Sequence, residues 1–215
     1  MIATKESPNV HELEFEPGYL FACLPFLAEG AKHPAFSCVN IGDGWMGATD
    51  ASTMLLIEDD VFKGCNYQLS GPGLSLVYDK ILERQDEDFS FRIHAFKLRI
   101  VSDSHAVLMI NGTESFEIEL MAYPRINIRD KDIEKPTDVS LTAEQMPYLD
   151  PYLMGRFIDG MSLFYGADVN FVRPLPTGLY SPIYIDLGHE NIHGLMMPGK
   201  MEPTPGHFPE VGTVQ

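Results

Sequence analysis

The sequence predicts an α+β fold in which antiparallel sheets carry helices on one face. Three observations predict it. A strand-like run, a helical face and further strand-like runs recur about three times along the 215 residues. The segments between runs hold glycine, proline or Asn-Gly, the turn chemistry of antiparallel hairpins. A 45% hydrophobic content with 21% charged residues is the balance of a chain that buries a core, which excludes a disordered acidic tail and a fibre. One repeat cannot cover both faces of its own sheet, so the repeats must pack together in layers.

The first repeat opens with Phe15 leading into Leu20, Cys23, Leu24 and Leu27, the spacing of a buried helical face, with Pro25 bending or shortening the helix. Residues 36–41 and 45–49 read as strands across Gly42-Asp43-Gly44, and residues 53–57 as a third. In the second repeat a strand over 66–70 precedes Gly71-Pro72-Gly73 and a helix presenting Leu74, Val77, Tyr78, Ile81 and Leu82 on one side. Strands are expected over 89–94, 97–102, 106–110 and 115–121, the last two joined by Asn111-Gly112. That pair demands φ > 0 at both central positions of a type I′ turn, so its Asn-Gly-Thr glycosylation form reads first as a hairpin. The third repeat offers a strand at 139–141, a helix after Pro151 with Leu153, Phe157, Ile158 and Met161 on one face, and strands over 169–172, 183–187 and 192–197. The expected organisation is a loose N-terminus over 1–12, a two-repeat domain over 13–133, a third repeat over 136–198 as a second domain, and a Pro/Gly-rich tail over 199–215.

Asp+Glu 31 against Lys+Arg 15 sets the net charge at −16, which repels nucleic acid and anionic lipid in bulk. DNA contact would need a local basic surface. Cys23, Cys38 and Cys65 have no paired spacing and read as packing residues in a reducing compartment. The N-terminus has no apolar core of a signal peptide, and the most apolar stretch, 19–28, is interrupted by Pro25 and far short of a span, so a cytoplasmic protein without a membrane partner is expected.

Specific motifs carry a resemblance. Residues 34–41 followed by Gly44-Trp45-Met46-Gly47-Ala48-Thr49-Asp50 resemble the signature of bacterial β sliding clamp domains. The helix near 73–84, the hairpin at Asn111-Gly112 and Tyr123-Pro124-Arg125 continue the likeness, and Ser181-Pro182-Ile183-Tyr184-Ile185 with Leu195-Met196-Met197-Pro198 is similar to the last clamp hairpin. The resemblance covers most of residues 13–200. It implies a non-catalytic DNA polymerase processivity factor, without cofactor or metal, that encircles duplex DNA by topology. It also implies an apolar pocket for DNA polymerase and clamp-loader peptides, here Thr49, Asp50, Met54 and Leu55 with Met196, Met197 and Pro198. The short form suggests a phage or prophage clamp that closes its ring as a homo-oligomer. Ala51-Ser52-Thr53 departs from the Gly-His-Arg-like stretch usual in the family. Clamps face cations inward from their helices, and the candidates for that role are Lys80, Arg84 and Arg156, although Asp79 and Glu83 flank the first two. The cation-rich stretch 89–131, with Arg92, Lys97, Arg99, Arg125, Arg129 and Lys131, reads mainly as outward strand positions.

A rival signal is His189-Glu190-Asn191-Ile192-His193, which matches H-E-x-x-H. On a helix it would place His189 and His193 on one face to hold zinc, with Glu190 as general base of a hydrolase. Gly188, Gly194 and Pro198 deny that helix, and 188–191 reads instead as a hairpin loop. No phosphate-binding glycine loop or nucleophile elbow is present. The acids at 58–60 and 86–88 meet no calcium spacing and read as solvated loops. The methionines at 146, 154, 161, 196, 197 and 201 suit either core or an adaptable peptide groove. A third reading is a clamp-fold interaction platform that binds no DNA.

Overall fold

The computed structural model describes residues 11–28, 33–88, 91–123, 135–137, 139–142 and 145–199. The expected 1–12 segment becomes ordered strand from His11 onward. Residues 1–10 and 200–215, and the cations Arg125, Arg129 and Lys131, lie outside the described residues.

The first repeat is β1 (His11–Phe15), α1 (Pro17–Cys23), β2 (Cys38–Gly42), β3 (Trp45–Thr49) and β4 (Thr53–Glu58). Pro17 opens α1 where its missing N–H is harmless, and Pro25 confines the continuation to a 3-10 turn over Leu24–Phe26. The strand expected from Phe36 begins at Cys38, because Pro34–Ser37 close a 3-10 turn. The second repeat is β5 (Tyr67–Ser70), α2 (Gly71–Glu87), β6 (Phe96–Ser102), β7 (His105–Ile110) and β8 (Glu114–Glu119). Asn111 and Gly112 take φ of 50° and 71°, as the β7–β8 hairpin requires. The third repeat holds α3 (Pro151–Tyr165), β9 (Arg173–Leu175), β10 (Ile183–Asp186) and β11 (Ile192–Met196). Asp150 caps α3 by accepting from the Tyr152 N–H at 2.9 Å, and Gly166 ends it at φ 61°.

Among the described residues three expected strands are absent, two of them for a local reason. Across 91–94 the backbone is satisfied by a side chain: Asn111 Oδ1 accepts from His94 N at 2.9 Å and its Nδ2 donates to Arg92 O at 2.7 Å. At 169–172, Val169 N donates to Ser162 Oγ at 3.0 Å, holding this stretch to the end of α3 and delaying the strand to Arg173. Residues 139–141 find no ladder partner among the described residues.

Among the described residues all strand pairing is antiparallel, in two sheets ordered β1-β6-β7-β8 and β5-β2-β3-β4-β11-β10-β9. Repeats one and two exchange their leading strands: β1 pairs with β6, and β5 with β2. The third repeat joins through β11, which pairs with β4 in the register Thr53↔Met196, Met54↔Leu195 and Leu55↔Gly194. The two expected domains thus share one seven-stranded sheet. They also share one core, in which Phe26 meets Phe157 edge-on at 5.0 Å, both rings fully buried. Gly194 is required beneath Phe157, since a Cβ there would fall 2.7 Å from the ring.

Alternation along the strands assigns the larger sheet's faces. Ile41, Met46, Leu55, Ile57, Ile185, Ile192 and Met196 join the main core under the helices. Trp45, Met54 and Leu56 with Leu195 form a second cluster on the opposite face. Cys23, Cys38 and Cys65 are all buried and free, and burial pushes the Cys65 thiol up to about 11. Tyr19 is likewise pushed up to about 12 by burial and by donating to Asp59 at 2.9 Å.

Candidate peptide-docking corner

The turn between β3 and β4 is built on polar side chains. Thr49 Oγ1 donates to Thr53 O at 2.7 Å and accepts from Ala51 N at 3.1 Å. Asp50 Oδ1 accepts from Ser52 N, Thr53 N and Thr53 Oγ1 at 2.9, 2.6 and 2.9 Å. This tight wrap forces Ala51 to φ 77°, left-handed backbone that favours glycine.

β11 ends against this corner. Met197 N donates to Ser52 O at 2.8 Å, extending the β4–β11 ladder by one bond, and Gly199 N donates to Tyr148 O at 3.2 Å. The two segments predicted to form a pocket, far apart in sequence, are therefore neighbours. Their side chains divide between layers. Leu55 and Met196 face the main core at 0% and 1% exposure and support the corner from beneath. Thr49 and Met54 are buried on the opposite face, while Met197 is 42% exposed at the rim.

Arg156 on α3 completes the corner. Its Nη1 pairs with Asp50 Oδ2, both side chains being largely buried, and its guanidinium lies 5.3 Å from the centroid of the Tyr152 ring. Tyr152 is 72% exposed and Tyr148 48% exposed. These two tyrosines lie beside the corner, and sequence reasoning did not single them out. The signal was the Asp-Pro helix start at 150–151, which fixes the first turn of α3 next to the corner.

The three candidate DNA-facing cations all have partners. Lys80 Nζ sits 5.6 Å from the Phe116 ring centroid, Arg84 lies 3.6 Å from Glu87 and 3.7 Å from Glu114, and Arg156 pairs with Asp50. The exposed charges around them on the helices are the acids Asp79, Glu83, Asp86, Glu87 and Asp159.

Residues 189–193 run from a turn into β11, so the helix a zinc-hydrolase H-E-x-x-H needs is replaced by the β10–β11 hairpin. His189 packs edge-on against Phe164 at 5.3 Å, whereas His193 contacts Tyr184 OH at 3.0 Å and Glu58 at 3.4 Å, so the two imidazoles are engaged separately. Among the described residues no group of three His, Cys, Asp or Glu is placed to hold a metal ion. Beside His193, Asp186 is held below the usual carboxylate range, chiefly by a Lys135 hydrogen bond at 2.7 Å. No helix of the described residues is long and apolar enough to cross a membrane.

Two sheets with exchanged leading strands, helices on one face and a third repeat extending the larger sheet define the sliding-clamp fold, which this chain has. It is similar to the DNA polymerase sliding clamp of Bacillus subtilis, with 11% identity over 92% of this chain and 66% of that one, at a TM-score of 0.60. Similar too are the Pseudomonas aeruginosa sliding clamp, at 8% identity, 88% and 67% coverage and a TM-score of 0.58, and the Thermotoga maritima DNA polymerase III β subunit, at 9%, 93%, 66% and 0.53. The chain spans about two thirds of the length of these clamps. No protein-family model and no curated protein matches its sequence.

Proposed function

We propose that the chain is a sliding-clamp-like processivity factor. It is a non-catalytic protein that captures short peptides of a DNA polymerase or clamp loader at the β3–β4 corner and encircles duplex DNA as a homo-oligomer. The observation that carries this reading is the β4–β11 ladder, which brings Met197 beside Ser52 of the β3–β4 turn. The exposed Met197 suits an apolar side chain of an incoming peptide, because a methionine surface is adaptable and loses water on contact; Gly199 and Arg156 tie the segments carrying the exposed Tyr148 and Tyr152 to the same corner. Titrating a polymerase-derived clamp-binding peptide tests it: the parent binds, and Met197→Glu abolishes binding while circular dichroism stays unchanged. Equal affinity of the two proteins would refute the corner as the docking site.

A specific observation favours a second reading, an interaction platform that holds no DNA. Lys80, Arg84 and Arg156 are all engaged within the protein, leaving the helix layer acidic. Retention on nicked circular against linearised DNA separates the readings. A ring stays on the circle and slides off free ends, and a platform does neither.

A further inference from the structure

We propose that the groove between α2 and α3 is a second docking site, for a cationic amphipathic helix of a partner protein. α1 forms its floor and ties the walls together through ring contacts, Phe21 with Tyr78 of α2 at 5.0 Å and Tyr19 with Phe164 of α3 at 6.0 Å. Around those contacts lies a groove of about 870 Å³ that also reaches Leu82 and Leu163. Leu82 is 40% exposed and Tyr165, at the end of α3, is 51% exposed, so apolar surface stays open to water there. Glu16, Asp86 and Asp168 line the rim with Arg92 and His94, a net negative border at neutral pH.

Charge and shape together select the occupant. A third helix packs into the furrow between two others by setting its apolar ridge along the floor, and lysines or arginines flanking that ridge meet the acidic rim. Duplex DNA is opposed by the same rim and by Asp79, Glu83 and Glu87 along α2. The chain's own ends do not match either. Residues 200–215 carry Lys200 against Glu202 and Glu210, and residues 1–10 carry Lys5 against Glu6, so neither is cationic. This site is separate from the β3–β4 corner, and it rests on the reading of the chain as an interaction platform, since in a ring closed around DNA the helix layer would face the duplex.

The test is a fluorescence titration of the full chain with a Leu/Lys amphipathic peptide, a Leu/Glu peptide of the same pattern and a short duplex DNA, with solution mass measured in parallel. The Leu/Lys peptide is expected to bind, about tenfold or more weakly to Asp86→Lys and to Leu82→Glu, and with parent affinity to Met197→Glu. Both groove positions are exposed, so these variants are expected to fold, and circular dichroism confirms it. The proposal is overturned if the Leu/Lys peptide fails to bind, if the Leu/Glu peptide binds equally, or if neither groove variant weakens binding. Displacement of the peptide by duplex DNA would overturn it too, as would a fall in oligomer mass in Leu82→Glu, which would make the groove an interface between copies.

Discussion

Replacing Arg156 with methionine removes the charge that links α3 to the β3–β4 corner while keeping much of the side chain's apolar contact. Asp50 and Arg156 are only 9% and 19% exposed at their side chains, so the substitution leaves a largely buried carboxylate without its cation. Breaking a fully buried pair costs about 3–5 kcal/mol. Here Asp50 Oδ1 keeps two backbone N–H donors and the Thr53 hydroxyl, which lowers the expected loss to about 2 kcal/mol. For a chain of this size that is a fall of about 4–8 °C in Tm. Urea denaturation of the parent, Arg156→Met, Asp50→Asn and the double variant closes the cycle, and the double variant should lose clearly less than the sum of the singles. A variant as stable as the parent that no longer stays on nicked circular DNA would refute this reasoning, because Arg156 would then serve phosphates rather than Asp50.

Ala51→Gly should stabilise the protein by about 0.5 kcal/mol, since relief of an L-residue at φ 77° slightly exceeds the entropy glycine loses on folding; a lower urea midpoint would contradict it. Gly194→Ala should destabilise by about 1–3 kcal/mol, as the new Cβ falls 2.7 Å from Phe157 Cε1 and 3.0 Å from Ile185 Cβ in a filled core; an unchanged denaturation curve would show that the ring moves freely. Lys135→Met should raise the Asp186 pKa, read by carboxyl NMR. Because the folded carboxyl titrates below its unfolded value, the ion pair stabilises above about pH 4 and is lost as pH falls through the folded pKa. The stability gap between parent and Lys135→Met should therefore close in acid, and a gap that persists there would assign Lys135 another role.

Elements with strong local signals were legible in the sequence. Pro72 and Pro151 start helices, Asn111-Gly112 turns a hairpin, and the apolar spacing of Leu74, Val77 and Ile81 marks the buried side of α2. Two of the segments that failed are those where a side chain outside the run takes backbone hydrogen bonds. Residues 91–94 look like a strand until the Asn111 side chain captures them, and 169–172 until Ser162 does. The corner was partly legible. Resemblance grouped Thr49, Asp50, Met54 and Leu55 with Met196, Met197 and Pro198 as one pocket, but it could not tell that Leu55 and Met196 face the core, since strand parity is set by pairing register.

Periodicity, turn chemistry and composition are properties of neighbouring residues, and these alone determined an α+β chain of repeats with antiparallel hairpins and an acidic surface. Tertiary structure decided which strands exchange between sheets, that the third repeat extends the first repeat's sheet through β4 and β11, and which partner each cation takes. Arg156 shows why. Its sequence neighbours leave it free to face DNA, but Asp50 lies 106 positions away, and only the packing of α3 against the β3–β4 corner brings the two charges into contact.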